Sequence, residues 1–116
     1  MRHLELGRRG EDLAAAYLKR LKFRVLERNY RVRLGEIDIV ARDRETLVFV
    51  EVKTRRSDVY ALPTDSVGSP KQRKLRRVAE LYLAEHDVRD CEVRFDVVSI
   101  VEESGKPRIE HIRNAF

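Results

Sequence analysis

Gly35 to Thr54 reads GEIDIVARDRETLVFVEVKT. Two runs rich in Val, Ile and Phe flank the polar knot Asp43-Arg44-Glu45-Thr46, which is the pattern of a β-hairpin. Closing the loop on Arg42 and Leu47 sets Asp38 opposite Glu51 and Glu36 opposite Lys53. Side chains alternate along a strand, so Asp38, Glu51 and Lys53 are expected on one face. Opposed side chains have Cβ atoms about 4.5–5.5 Å apart, and like charges there are destabilising. Their neighbours Ile37, Ile39, Val48, Val50 and Val52 are apolar enough to be buried. Three explanations fit two carboxylates in that setting. One is protonated, because burial and like charge raise its pKa. Or Lys53 neutralises the pair in a structural ion cluster. Or a hard divalent cation, which takes oxygen ligands, sits between them.

Working outward, Leu4 to Leu21 carries apolar residues at helical spacing: Leu6, Leu13, Ala14, Tyr17, Leu18 and Leu21. Gly7 and Gly10 weaken its start. Glu11 stands in the early turns, where the helix dipole also favours an acid. Lys22 to Tyr30 alternates as a first strand, and Asn29 to Gly35 turns into the hairpin. Thr54 to Gly68 has no sustained period and reads as a long loop, with Tyr60 either stacking on an exposed base or, as the favoured reading, packing on the domain. Ser69-Pro70-Lys71-Gln72 reads as a capped helix start, Ser69 being the N-cap. Leu75, Val78, Ala79, Tyr82 and Leu83 form its buried stripe through Glu85. Glu92 to Val101 is a strand, followed by a turn at 102–107 and a last strand from Arg108 to Ile112. Arg94 and Asp96 share a face, as a structural pair near the site or as part of a subunit contact.

This order, α-β-β-β-α-β with a short extra strand, predicts a single α/β domain over residues 1–116. Three strands meander, then a helix crosses over to a strand parallel to the third. Such crossovers are almost always right-handed. The result is a mixed sheet flanked by helices.

Several function classes are disfavoured. The chain lacks a GxxxxGK[ST] phosphate loop, so ATP binding is not indicated. His3, His86 and His111 are scattered without zinc-ligand spacing. Cys91 is the single cysteine, which excludes an internal disulfide. No apolar run approaches the roughly 20 residues that span a membrane, and Met1 to Glu5 has no apolar signal core. A cytoplasmic protein is the expectation. With 25 Lys and Arg against 20 Asp and Glu, the net charge is +5 and the pI about 9.7. That sign suits a polyanionic partner. The basic residues cluster twice. Arg24, Arg28, Arg31 and Arg33 surround the first turn. Lys71, Arg73, Lys74, Arg76 and Arg77 crowd the start of the second helix, where cations oppose the dipole and a docked anion relieves it.

Asp38, followed by Glu51-Val52-Lys53 on the next strand, resembles the core motif of the PD-(D/E)XK nuclease superfamily. That superfamily includes restriction endonucleases and archaeal Holliday-junction resolvases. Ile37 stands where its first motif nominally has Pro. Longer strings (GRRGEDLAAAYL, GEIDIV, FVEVK, RFDVV and the terminal NAF) resemble the YraN-like family of small bacterial endonuclease-like proteins, from Gly7 to Phe116. The resemblance implies a restriction-endonuclease-like αβββαβ core and Mg²⁺- or Mn²⁺-dependent cleavage of DNA, branched DNA included. It implies Asp38, Glu51, the Val52 carbonyl and Glu11 as metal ligands, and Lys53 as the residue that orients water. Lys71 recurs in the family pattern and is expected to face substrate, with Lys74, Arg31, Arg33, Arg55 and Arg56 as further phosphate contacts. A homodimer is the expected assembly by the same analogy. Glu36 is either a further ligand or the partner of Lys53. A non-catalytic nucleic-acid-binding or partner-binding module on this scaffold is the rival reading, and an adaptor with its acids ion-paired by Lys53 is a third.

Overall fold

In the computed structural model, residues 3–56 and 67–116 are described. Helix α1 runs His3–Arg20 and strand β1 Arg24–Val32. Strands β2 (Gly35–Asp43) and β3 (Thr46–Arg56) follow. Helix α2 spans Ser69–Glu85, and strands β4 (Val93–Glu103) and β5 (Lys106–Ile112) complete the chain. The strands form one sheet in the order β1-β2-β3-β4-β5. Only β3 and β4 are parallel; the other neighbours are antiparallel. The expected mixed α/β sheet, with its helical crossover between parallel strands, is the fold.

Each helix covers one face. Leu75, Val78, Ala79 and Tyr82 of α2 pack on Val40, Leu47, Phe49, Phe95 and Val97. Ala14, Ala15 and Leu18 of α1 pack on Ile39, Ala41, Val48, Val50, Val98 and Ile100. β3 and β4 lie under both helices, so Leu47 to Val50 and Val97 to Val101 read as unbroken apolar runs apart from Ser99. Continuous rather than alternating hydrophobicity is what burial on two faces demands. Gly10 is buried where α1 meets β3. A Cβ there would overlap Thr54 Cγ2, so the glycine that weakens the helix is what allows close approach.

The hairpin register holds: Arg42 faces Leu47, Ala41 faces Val48 and Ile39 faces Val50. Other boundaries move. β1 continues through Arg31 and Val32, leaving only Arg33 and Leu34 for the turn, because Val32 pairs with Gly35. Leu21 is 39 % exposed rather than part of the core stripe, since Lys22 enters the left-handed region at φ 73° and breaks the helix. The N-cap of α2 is Gly68, not Ser69. Gln72 makes no capping box; its amide donates to the Val67 carbonyl at 2.9 Å. Thr54, Arg55 and Arg56 belong to β3 rather than to a loop, because their parallel partners Ile100, Val101 and Glu102 extend the ladder. Tyr60 and the remainder of the expected loop, residues 57–66, lie outside the described residues.

Candidate metal and phosphodiester site

Strict alternation would put Ile37 and Ile39 on one side of the sheet. Instead Ile37 joins the α2-side core and Ile39 the α1-side core, so β2 changes sides at Asp38. The break is matched on β1, where Asn29 adopts φ 55° between the pairs Arg28–Ile39 and Tyr30–Ile37. It is matched on β3 too: the β2–β3 ladder ends at Ile39–Val50. Beyond it, Asp38 Oδ2 accepts the Val52 N–H at 2.8 Å. A side-chain carboxylate thus replaces a backbone carbonyl, and the strands open next to the two acids.

Glu51 projects from β3 into this opening with a side chain only 10 % exposed. Beneath it the wall is apolar, with Ile37, Phe49, Leu75 and Phe116 lining a small hollow. Two ammonium groups converge on its Oε1: Lys71 Nζ at 3.0 Å and Lys53 Nζ at 3.4 Å. Lys71 comes from the first turn of α2, so the crossover helix delivers a cation to the acid of the strand it left. Glu36 does not reach Lys53; Arg31 claims it, with Nε and Nη2 at 2.9 and 2.7 Å.

The electrostatics follow from burial and like charge. Burial first, and the charge of Glu51 second, push the Asp38 carboxyl from 3.8 up to about 7, against the opposing Val52 hydrogen bond. Glu11 and then Glu36 push the same way. Burial holds Lys53 below its ordinary value, and the neighbouring Lys71 adds to this. For Lys71 burial works downward too, but its interactions with Lys53 and Glu51 outweigh that and the net direction is up. The less exposed ammonium is therefore the one that more readily yields a proton.

Glu11 lies near enough to Asp38 to act on it through space, yet its own carboxylate is engaged by Asn29 Nδ2 at 2.7 Å and Arg28 Nη2 at 3.4 Å. Among the described residues no three acidic, imidazole or thiol groups converge as a ready metal cage. Asp38 and Glu51 are a pair of hard oxygen donors near enough for the Glu51 charge to act on Asp38, a repulsion that a cation would relieve. That donor set fits Mg²⁺ or Mn²⁺ with part of its shell left to water and substrate.

The basic residues divide. Lys71 is in the site. The stem of Lys74 lies against Gly35, beside the turn that carries the exposed Arg33. Arg31 is tied to Glu36. Arg55 leans toward Glu110 of β5 at 3.6 Å, and Arg56 lies in register with Glu102, so both lie beyond Lys53 toward the far end of β3. Arg94 and Asp96 form a pair on the α1 side of the sheet, across from Glu51.

Two residues escaped sequence reasoning. Asn29 supplies the kink and holds Glu11; Asn is among the residues that tolerate the left-handed region, which is the only local signal. Ser99 is fully buried, in register with Lys53 on β4, and its hydroxyl has no partner. A single hydroxyl inside VVSIV was the available sign.

A mixed five-stranded sheet flanked by two helices, opened between β2 and β3 at an acidic pair with a lysine beside it, is consistent with a restriction-endonuclease-like core. The chain belongs to the Uncharacterised protein family UPF0102, which it matches over residues 10–100. Its relatives include UPF0102 protein GSU0650 of Geobacter sulfurreducens, 54% identical across 96% of this chain and 88% of that protein. A UPF0102 protein of Geobacter metallireducens is 53% identical across 96% and 91%, and one of Persephonella marina 46% across 95% and 91%. Among the described residues no helix is long and apolar enough to cross a membrane.

Proposed function

We propose that this protein is a Mg²⁺- or Mn²⁺-dependent endonuclease acting on phosphodiester bonds in DNA. The observation that carries the reading is Asp38: a carboxyl raised to about 7 by burial and by Glu51, at the one place where the β2–β3 ladder opens. Asp38, Glu51 and the Val52 carbonyl would hold the ion, with Glu11 reaching it through water. A bound divalent ion supplies Lewis acidity to a phosphoryl oxygen and acidifies water. Lys53 orients the attacking water and offsets charge on the phosphate as it grows. Lys71, Lys74, Arg33, Arg55 and Arg56 supply the sequence-independent phosphate attraction typical of nucleic-acid binding. Arg31 joins them only if it leaves Glu36. Two strands of branched or duplex DNA would need two such sites, hence a homodimer.

A non-catalytic nucleic-acid-binding module is the second reading. It is favoured by the closure of both lysines on Glu51, which neutralises that acid without metal. Cleavage of labelled duplex, flap and four-way DNA in Mn²⁺, with RNA alongside, separates the two. Wild type should cut; Lys53→Ala should lose about 10²–10⁴-fold while still binding DNA. Cleavage that persists unchanged in Asp38→Asn and Lys53→Ala would belong to a contaminant and sink the proposal. DNA binding without cleavage by wild type would establish the module.

A further inference from the structure

Glu51 Oε1 is shared by two ammonium groups that differ in freedom. Lys53 is two residues away on the same strand, and its side chain is 25 % exposed. Lys71 arrives from α2, and its side chain is 40 % exposed. We infer that Lys71 stands in for the divalent cation on Glu51, and that cation binding displaces it toward the substrate phosphate, so that loading the site and gripping the backbone are one linked event. The inference rests on the metal-dependent reading above.

Three observations support it. First, both ammonium groups lie on a single oxygen of Glu51, the carboxylate that would share a cation with Asp38. A dication there repels an ammonium about 3 Å away, and the repulsion is strong where water is scarce. One of the two must withdraw. Second, the exposures say which: Lys71 has solvent to swing into, whereas Lys53 is more enclosed. Third, once displaced, Lys71 finds no acid in the first turn of its own helix, and Gly68 gives that end no side-chain cap. Arg73 and Lys74 follow on the same helix, so the displaced ammonium joins a cationic end. An anion completes that end.

Calorimetric titration of Mn²⁺ into the DNA-free protein at fixed pH and salt tests this. Lys71→Met should bind Mn²⁺ roughly tenfold more tightly than wild type, a coupling of ordinary size for linked ligands. Lys71→Arg keeps the competing charge and should stay close to wild type. Arg77→Met removes a charge from the same helix away from Glu51 and should also change little, which separates displacement from a general field effect. In the second arm, Ca²⁺ should strengthen duplex binding by wild type more than by Lys71→Met. If wild type and Lys71→Met bind Mn²⁺ equally, or if Arg77→Met gains as much, Lys71 is no stand-in, while the metal site itself survives. If neither protein takes up Mn²⁺, the metal site and the inference fall together.

Discussion

Asp38, partly buried, and Asp96, fully buried, are aspartates of one sheet, and they are satisfied in opposite ways. Asp96 is wholly inaccessible. It accepts from Arg94 Nε and Nη2 at 2.9 and 3.0 Å, from His111 Nε2 at 2.8 Å and from the Asn114 N–H at 3.1 Å. Burial alone would raise its pKa; those hydrogen bonds outweigh burial and hold it below the ordinary carboxylate value. Tyr17 closes the chain on His111 Nδ1 at 3.0 Å, so every member has a partner. Among the described residues Asp38 has one backbone donor and no cation within salt-bridge reach, while the charges of Glu51, Glu11 and Glu36 act on it. A fully satisfied buried network rigidifies a fold, whereas a half-satisfied one is a liability unless something else completes it. Arg94 and Asp96 are therefore structural, and Asp38 is the less satisfied of the two aspartates.

The largest expected effect separates the two by stability. Asp96→Ala leaves Arg94 and His111 without their shared acceptor and should lower unfolding free energy by about 3–5 kcal/mol. Asp38→Asn removes a charge that burial and Glu51 oppose, so its stability at neutral pH should equal or exceed that of wild type. Urea denaturation of both variants checks this. Comparable losses would mean that Asp38 is as structural as Asp96.

A smaller effect lies in the pH dependence. Asp38 has a folded pKa of about 7 against an ordinary 3.8, so between those values the folded state holds the extra proton. Its contribution therefore lowers stability as pH rises from about 4 to about 7. Asp96 has the opposite sign: its folded pKa is depressed, so its contribution is present above the unfolded value and lost as pH falls through the folded one. Thermal unfolding across pH 4–8, a window set by the Asp38 values, should show a decline in wild type that Asp38→Asn flattens. Mn²⁺ should restore stability at the alkaline end in wild type alone. A wild-type curve without that decline would remove the distinction between the two aspartates.

The contrast also shows where the sequence was readable. The hairpin register was, because a polar knot between two β-branched runs fixes both strands locally. So was the α2 stripe, because its spacing repeats. Asp38 and Glu51 were recognisable as neighbours, but the opening between them was not. It depends on a left-handed Asn29 and on a carboxylate that captures a backbone N–H, and neither leaves a periodic trace. The Lys71–Glu51 contact joins residues separated by a whole crossover, and Arg55 and Arg56 became strand only through β4. His111 and Asp96 sit in different strands, so their partnership is likewise written in the topology.

The smallest effect tests how the charge around Asp38 is arranged. Through-space pressure on its carboxyl comes most from Glu51, then Glu11, then Glu36. Neutralising each in turn should lower the Asp38 pKa in that order, as read by carbon-detected NMR titration of its side chain. Glu36 should matter least, because its through-space effect on Asp38 is the smallest of the three and Arg31 lies 2.7 Å from it. Glu11→Gln is the informative variant. Glu11 sits on α1, held in place by Asn29 and by the close approach of Gly10 to Thr54. A fall in the Asp38 pKa on this change would mean that α1 contributes negative potential to a site built on β2 and β3. An unmoved Asp38 would mean that Arg28 and Asn29 screen Glu11 completely, confining the acidic centre to the hairpin.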